Sequence, residues 1–118
     1  MIFLIGLFVK HAIVDLGLQS MLTGIKKHDY FSNAHIHYAQ HGFFTLILAL
    51  ALFDPTVAVV LAFVDYLLHW HVDFFKHRLM IEFGIKNQTT AWWWLNVADQ
   101  TAHYLTYFAL YRLSIYFG

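Results

Sequence analysis

Histidine and carboxylate recur four residues apart along this chain. His11 precedes Asp15 and then Gln19, Asp65, His69 and Asp73 repeat the spacing, and Asp99 precedes His103. Four helical residues advance about 6 Å and return to nearly the same face, so each set stacks in one stripe. His37 and His41 stand four apart as well, with His35 and Tyr38 beside them; Asn96, Asp99 or Gln100, His103 and Tyr107 share a further stripe. Imidazole and carboxylate projecting inward from facing helices are the donors with which helical bundles bind metal. Without thiolate, that set suits zinc, iron, manganese or nickel better than copper(I). The candidate ligands of a divalent metal ion (zinc, iron or manganese) are His11, Asp15, His41, His69, Asp73, Asp99 and His103. A cation held there brings the pKa of a bound water toward neutrality and makes it a nucleophile. Asp99 or His41 then serves as general base or orients a ligand, and Lys76 stabilises an oxyanion or binds a phosphate. The Glu-x-x-His pair of soluble di-iron bundles is absent.

The elements that must carry these stripes are unusually apolar. Of 118 residues, 60% are hydrophobic, 19% aromatic and only 12% charged, the last about half the usual share. Seven basic and seven acidic residues cancel, so there is no basic field to attract nucleic acid. The chain has no cysteine, which excludes disulfides, cysteine-ligated zinc, iron–sulfur clusters and a thiol nucleophile. Against that background stand nine histidines.

A bilayer-spanning helix takes about 20 apolar residues, and the sequence predicts four, over about residues 1–22, 34–53, 56–83 and 91–117. Thr23 and Gly24 stop the first, Ser32 or Asn33 caps the second, Asp54 turns into Pro55 at the start of the third, and Thr89 or Thr90 caps the fourth. A soluble bundle needs a polar face on every helix, and Gly42 to Phe53 and Val57 to Val64 offer almost none. Trp92, Trp93 and Trp94 stand where the fourth helix enters the bilayer, as an interfacial belt does. The apolar run Ile2–Val9 precedes Lys10, and no small-x-small site follows it, which argues against a cleaved signal peptide. The expected fold is therefore all-α, a four-transmembrane-helix up-down bundle forming a single integral membrane domain. Lys26, Lys27, Lys76, Arg78 and Lys86 share one side; the positive-inside rule puts that side in the cytoplasm of an inner or plasma membrane, with both termini outside.

In that topology every polar stripe falls in the cytoplasmic half, which predicts one shared site. An ionisable side chain at the centre of a membrane helix costs about 2.5–3.5 kcal/mol on insertion scales, which makes each of them a functional candidate. Asp15, Asp73 and Asp99, with Asp65 as a fourth, bring negative charge that one or two divalent cations would neutralise, with Lys76. A lone His–Asp pair more often clamps two helices by hydrogen bonds; four sets at one depth favour metal. His28 and His77 flank loops and read as solvated, His71 points away from His69, and Lys10 either snorkels or pairs with an aspartate.

With these stripes the chain resembles the family known as domain of unknown function 3307, small multi-pass membrane proteins of bacteria and tailed phages. The resemblance rests on His11-x3-Asp15 with Gln19, the histidines ending at His41, His69-x3-Asp73 with Lys76, and Asp99-Gln100-x2-His103, and covers nearly the whole chain. The extra histidines at positions 35 and 37 and the triple tryptophan depart from it, which leaves open the equivalent second-helix histidine. The resemblance implies a membrane location and an intramembrane polar cluster, and no particular reaction.

The expected function is a metal-dependent membrane hydrolase acting on a lipid, a lipid-linked sugar or a membrane peptide. One alternative is a non-enzymatic subunit or modulator of a larger membrane complex, its polar cluster structural, with the lipid bilayer and other membrane subunits as partners. Another is electron or proton transfer, with two facing histidines ligating haem.

Overall fold

Apolar residues free of proline carry the chain into its first helix, α1 (Ile2–Ala12). At Ile13–Leu18 the helix widens into a π-helical turn that contains Asp15, a departure frequent at functional sites. The computed structural model describes residues 1–18, 27 and 29–117. The expected helix stop at Thr23 and Gly24, Gln19 and His28 lie outside the described residues.

α2 (His35–Leu52) starts one residue later than expected. Its cap position is Ala34, with no side-chain cap. Ser32 acts from the preceding turn, its hydroxyl accepting from the Ala34 N–H at 3.2 Å and its carbonyl from His35 at 3.2 Å. α3 (Pro55–Glu82) begins as its sequence demands. The Asp54 carboxylate accepts from the N–H groups of Thr56 and Val57 at 3.0 and 3.2 Å, and Pro55 follows it where no donor is needed. The helix closes with Gly84 at φ +60°. Gly84 N–H then bonds the Ile81 carbonyl and Ile85 N–H the Met80 carbonyl, the Schellman closure that satisfies the last carbonyls. α4 (Thr90–Phe117) is capped by Thr89, whose hydroxyl accepts from Trp92 N–H at 3.3 Å.

The described residues form an all-helical bundle with four α-helices and no strand. Chain neighbours pack side by side, and α1 closes the ring against both α2 and α4. Gly42 lets α2 approach α3 closely, since a Cβ there would meet the Ala62 carbonyl and Tyr66 Cβ, each at 3.3 Å. The start of α1, the end of α2, the start of α3 and the end of α4 share an apolar core of Phe3, Leu7, Ala49, Leu61 and Leu110. The opposite half is filled with polar side chains.

This is an inverted distribution for a protein in water. Among the described residues thirteen polar or charged side chains are buried, as many as the hydrophobic ones, while Ile5, Val9, Phe43, Ile47, Phe63, Leu105 and Phe108 lie exposed. Contiguous exposed apolar surface marks contact with membrane or partner. Among the described residues one helix, Pro55–Glu82, is long and apolar enough to cross a membrane.

Candidate metal centre

The π-helical turn delivers Asp15 to three imidazoles. Its Oδ1 lies 2.8 Å from His41 Nε2 and 3.2 Å from His37 Nε2, and its Oδ2 lies 3.1 Å from His11 Nε2. Asp73, from α3, is the second hub. Its Oδ1 is 3.1 Å from His103 Nε2, and its Oδ2 faces Lys27 Nζ at 3.1 Å, His69 Nε2 at 3.5 Å and His37 Nε2 at 3.8 Å. His69 joins the two hubs, its ring stacked on His41 at 3.6 Å and on His103 at 4.1 Å between centroids.

Around this core three lysines each take one carboxylate. Lys10 donates to Asp65 Oδ2 at 2.6 Å, and the same oxygen accepts from Thr45. Lys27 pairs with Asp73, and Lys76 sits 3.3 Å from Asp99 and 2.9 Å from Asn96 Oδ1. The expectation that a metal must neutralise three or four carboxylates therefore changes. Lysine charge already answers Asp65, Asp73 and Asp99, and among the described residues only Asp15 of the four has histidines in place of a lysine.

Hydrogen bonds assign several protons. Lys10 Nζ, which can only donate, lies 3.0 Å from His41 Nδ1, so His41 carries its proton on Nε2, toward Asp15. His11 Nε2 faces two acceptors, Asp15 Oδ2 and Gln100 Oε1, so its Nδ1 accepts from the Tyr107 hydroxyl at 2.6 Å. His37 and His69 differ from both. Each is buried; among the described residues neither nitrogen of His69 makes a hydrogen bond, and His37 is met only at Nε2, by the Asp15 and Asp73 carboxylates at 3.2 and 3.8 Å. Buried polar atoms are rarely left so.

Two groups of side chains have donor atoms mutually within 4.8 Å and could hold a metal ion: Asp15, His37, His41 and His69, and His69, Asp73 and His103. A cation in the first would satisfy one nitrogen each of His37 and His69. At His41 it would take the place of the Nε2 proton, with Nδ1 still facing Lys10. In the second group the Lys27 ammonium already lies at Asp73 and competes with a cation.

No protein-family model, curated protein or solved structure matches this chain. The site's own geometry carries the functional argument.

Of the seven ligands read from the sequence, the structure brings Asp15, His41, His69, Asp73 and His103 into these two groups. His11 stands beside Asp15 as a hydrogen-bond partner, and Asp99 stands behind His103, its Oδ1 3.3 Å from Nε2. Lys76 binds Asp99 and Asn96, away from Asp15. His37 was missing from the ligand set, although its spacing from His41 carried the signal. Lys27 had no signal at all, being a loop lysine expected in water and found buried. His77 is half-buried, its Nδ1 donating to the Asp73 carbonyl at 2.9 Å, and not simply solvated. His71 does point away, its Nδ1 donating to the Leu67 carbonyl and its Nε2 meeting the Tyr30 hydroxyl.

Proposed function

We propose that this chain is a four-span integral membrane protein that binds one divalent metal ion at Asp15, His37, His41 and His69 and uses it to hydrolyse a lipid or another membrane-associated substrate. The observation that carries the reading is the convergence of buried His37, His41 and His69 on Asp15, where among the described residues His69 has no hydrogen bond at either nitrogen and Asp15 is the one hub carboxylate without a lysine. Three nitrogens and one oxygen suit zinc, iron(II) or manganese(II). The bound cation would activate water or polarise a substrate oxygen. Around it, His11 holds the Asp15 carboxylate in place and is itself held by the Tyr107 hydroxyl, roles that outer partners of metal ligands commonly fill. Asp99 acts at one remove, through His103.

The membrane part of the proposal draws on the exposed apolar side chains around a polar interior, and on the span Pro55–Glu82. The polar stripes themselves lower the mean hydropathy of α2 and α4, as burial inside a bundle permits. Arg78 and Lys86 are exposed at the polar end, so that end faces the cytoplasm and both termini lie on the other side.

A second reading draws on the three lysine–aspartate pairs. They clamp α1 to α3, the loop to α3, and α3 to α4, which is what a structural cluster in a non-enzymatic membrane subunit would do. Haem between two histidines fits poorly, because the central imidazoles stack on one another and leave no slot between facing helices.

The test is turnover. Metal-loaded protein in vesicles of bacterial lipids should release hydrolysis products detectable by mass spectrometry, and Asp15→Asn should abolish that release. Equal product from the variant and the parent would overturn the hydrolase assignment.

A further inference from the structure

The candidate centre is not sealed. Asp15 keeps 20% of its side chain exposed, against 4% for Asp73, 5% for Asp99 and none for Asp65. It opens into a groove of about 750 Å³ between α1 and α4. The walls are Phe8, Ala12, Leu16, Tyr104 and Phe108, and His11, Asp15 and Gln100 are its polar residues. The polar group lies toward one end, because His11 meets both Asp15 and Gln100 while Phe8 meets Phe108 at 6.1 Å between centroids at the other. From Phe8 to Leu16 the groove runs roughly 12 Å along α1.

Its mouth opens onto apolar surface. Ile5, Val9, Ile13, Leu16 and Leu105 are all exposed around it. A water-soluble substrate would have to cross that surface to reach Asp15, whereas a molecule already dissolved in hydrocarbon would not. The π-helical turn carries Asp15 to this opening.

We propose that this groove admits the hydrocarbon chain of a membrane lipid from the side, the chain lying along Phe8, Ala12 and Phe108 and the ester or phosphate oxygen of the head reaching the centre at Asp15. The substrate class is then a chain-bearing lipid and not a membrane peptide; this part rests on the hydrolase reading, while the chain site itself stands on the groove alone. An acyl ester and a prenyl phosphate share the required chemistry of an apolar chain ending in oxygens.

The test uses the whole chain in nanodiscs containing a phosphatidylcholine with a diazirine on its acyl chain. After illumination, label should concentrate between residues 8 and 16 and between 104 and 108. Ala12→Trp, which fills the groove from an exposed position, should reduce that label several-fold. Phe63→Trp, on the outer surface of α3, should leave it unchanged. Competition by unlabelled phosphatidylcholine but not by polyprenyl phosphate assigns the acyl source, and the reverse assigns the prenyl source. Label spread evenly over the exposed faces of all four helices and indifferent to Ala12→Trp would overturn the proposal. Metal content measured on the same samples separates the two claims. Groove label on a metal-free protein removes the metal reading and keeps the groove; bound metal with no groove label does the opposite.

Discussion

His69 lies face to face with His41, ring centroids 3.6 Å apart and planes 24° from parallel. One member of that stack is fully engaged, between Lys10 and Asp15, while the other makes no hydrogen bond among the described residues. An unsatisfied buried donor or acceptor costs about 1–3 kcal/mol, so a ring with both nitrogens idle needs a reason to be there. A cation bridging it to Asp15 and His37 supplies one.

Loss of His69 should therefore cost more metal affinity than loss of any outer partner. His69→Ala is expected to weaken binding by more than the roughly 10–100-fold that removal of an outer partner such as Tyr107 typically costs. His71→Ala, bonded only to Leu67 and Tyr30, should change nothing. Equilibrium dialysis with zinc separates these outcomes. Affinity should also fall as pH falls, because protons compete for the same imidazole nitrogens; affinity that rises in acid would contradict ligation by histidine.

Lys10 and Asp65 form a buried ion pair in which the side chains are 5% and 0% exposed. Removing one partner strands the other charge, at a cost of about 3–5 kcal/mol. Asp65→Ala should lower the thermal midpoint in detergent sharply, and the double variant Lys10→Met with Asp65→Leu should recover most of the loss. A double variant as unstable as the single one would show that the pair does more than balance charge.

The helices were legible because apolar runs and Asp54 with Pro55 each carry a local physical meaning, and Asp54 and Pro55 act where they were expected. The pairs His11–Asp15 and His69–Asp73 were legible from helical spacing, and both are within ion-pair distance. Two features were not. The π-helical turn around Asp15 leaves no periodic trace in the sequence. Lys27 folds back onto Asp73 from a loop, where spacing says nothing about direction. The lysine pairing in turn alters the charge balance that the sequence alone implied for the cluster.

Tight approach of α2 and α3 makes Gly42 sensitive. Gly42→Val should destabilise by about 1–3 kcal/mol through overpacking against Ala62 and Tyr66. Gly17→Ala, whose Cβ meets nothing within 4 Å among the described residues, should stay close to the parent. Thermal unfolding of the two variants side by side checks the contrast, and equal midpoints would contradict it.

A chain without cysteine permits a direct test of membrane embedding. Leu105 is 64% exposed and Lys86 also lies at the surface, so folding alone protects neither. In intact vesicles Lys86→Cys should react with a water-soluble maleimide, and Leu105→Cys should react only after the bilayer is dissolved. Equal rates in vesicles would contradict the four-span arrangement.

Metal binding is decided by elemental mass spectrometry on detergent-purified protein carrying no histidine tag. The expected result is about one zinc, iron or manganese ion per chain, lost in His69→Ala and kept in His71→Ala. A folded parent protein that holds none of these metals, even after incubation with each, would contradict it and leave the cluster as a clamp between helices.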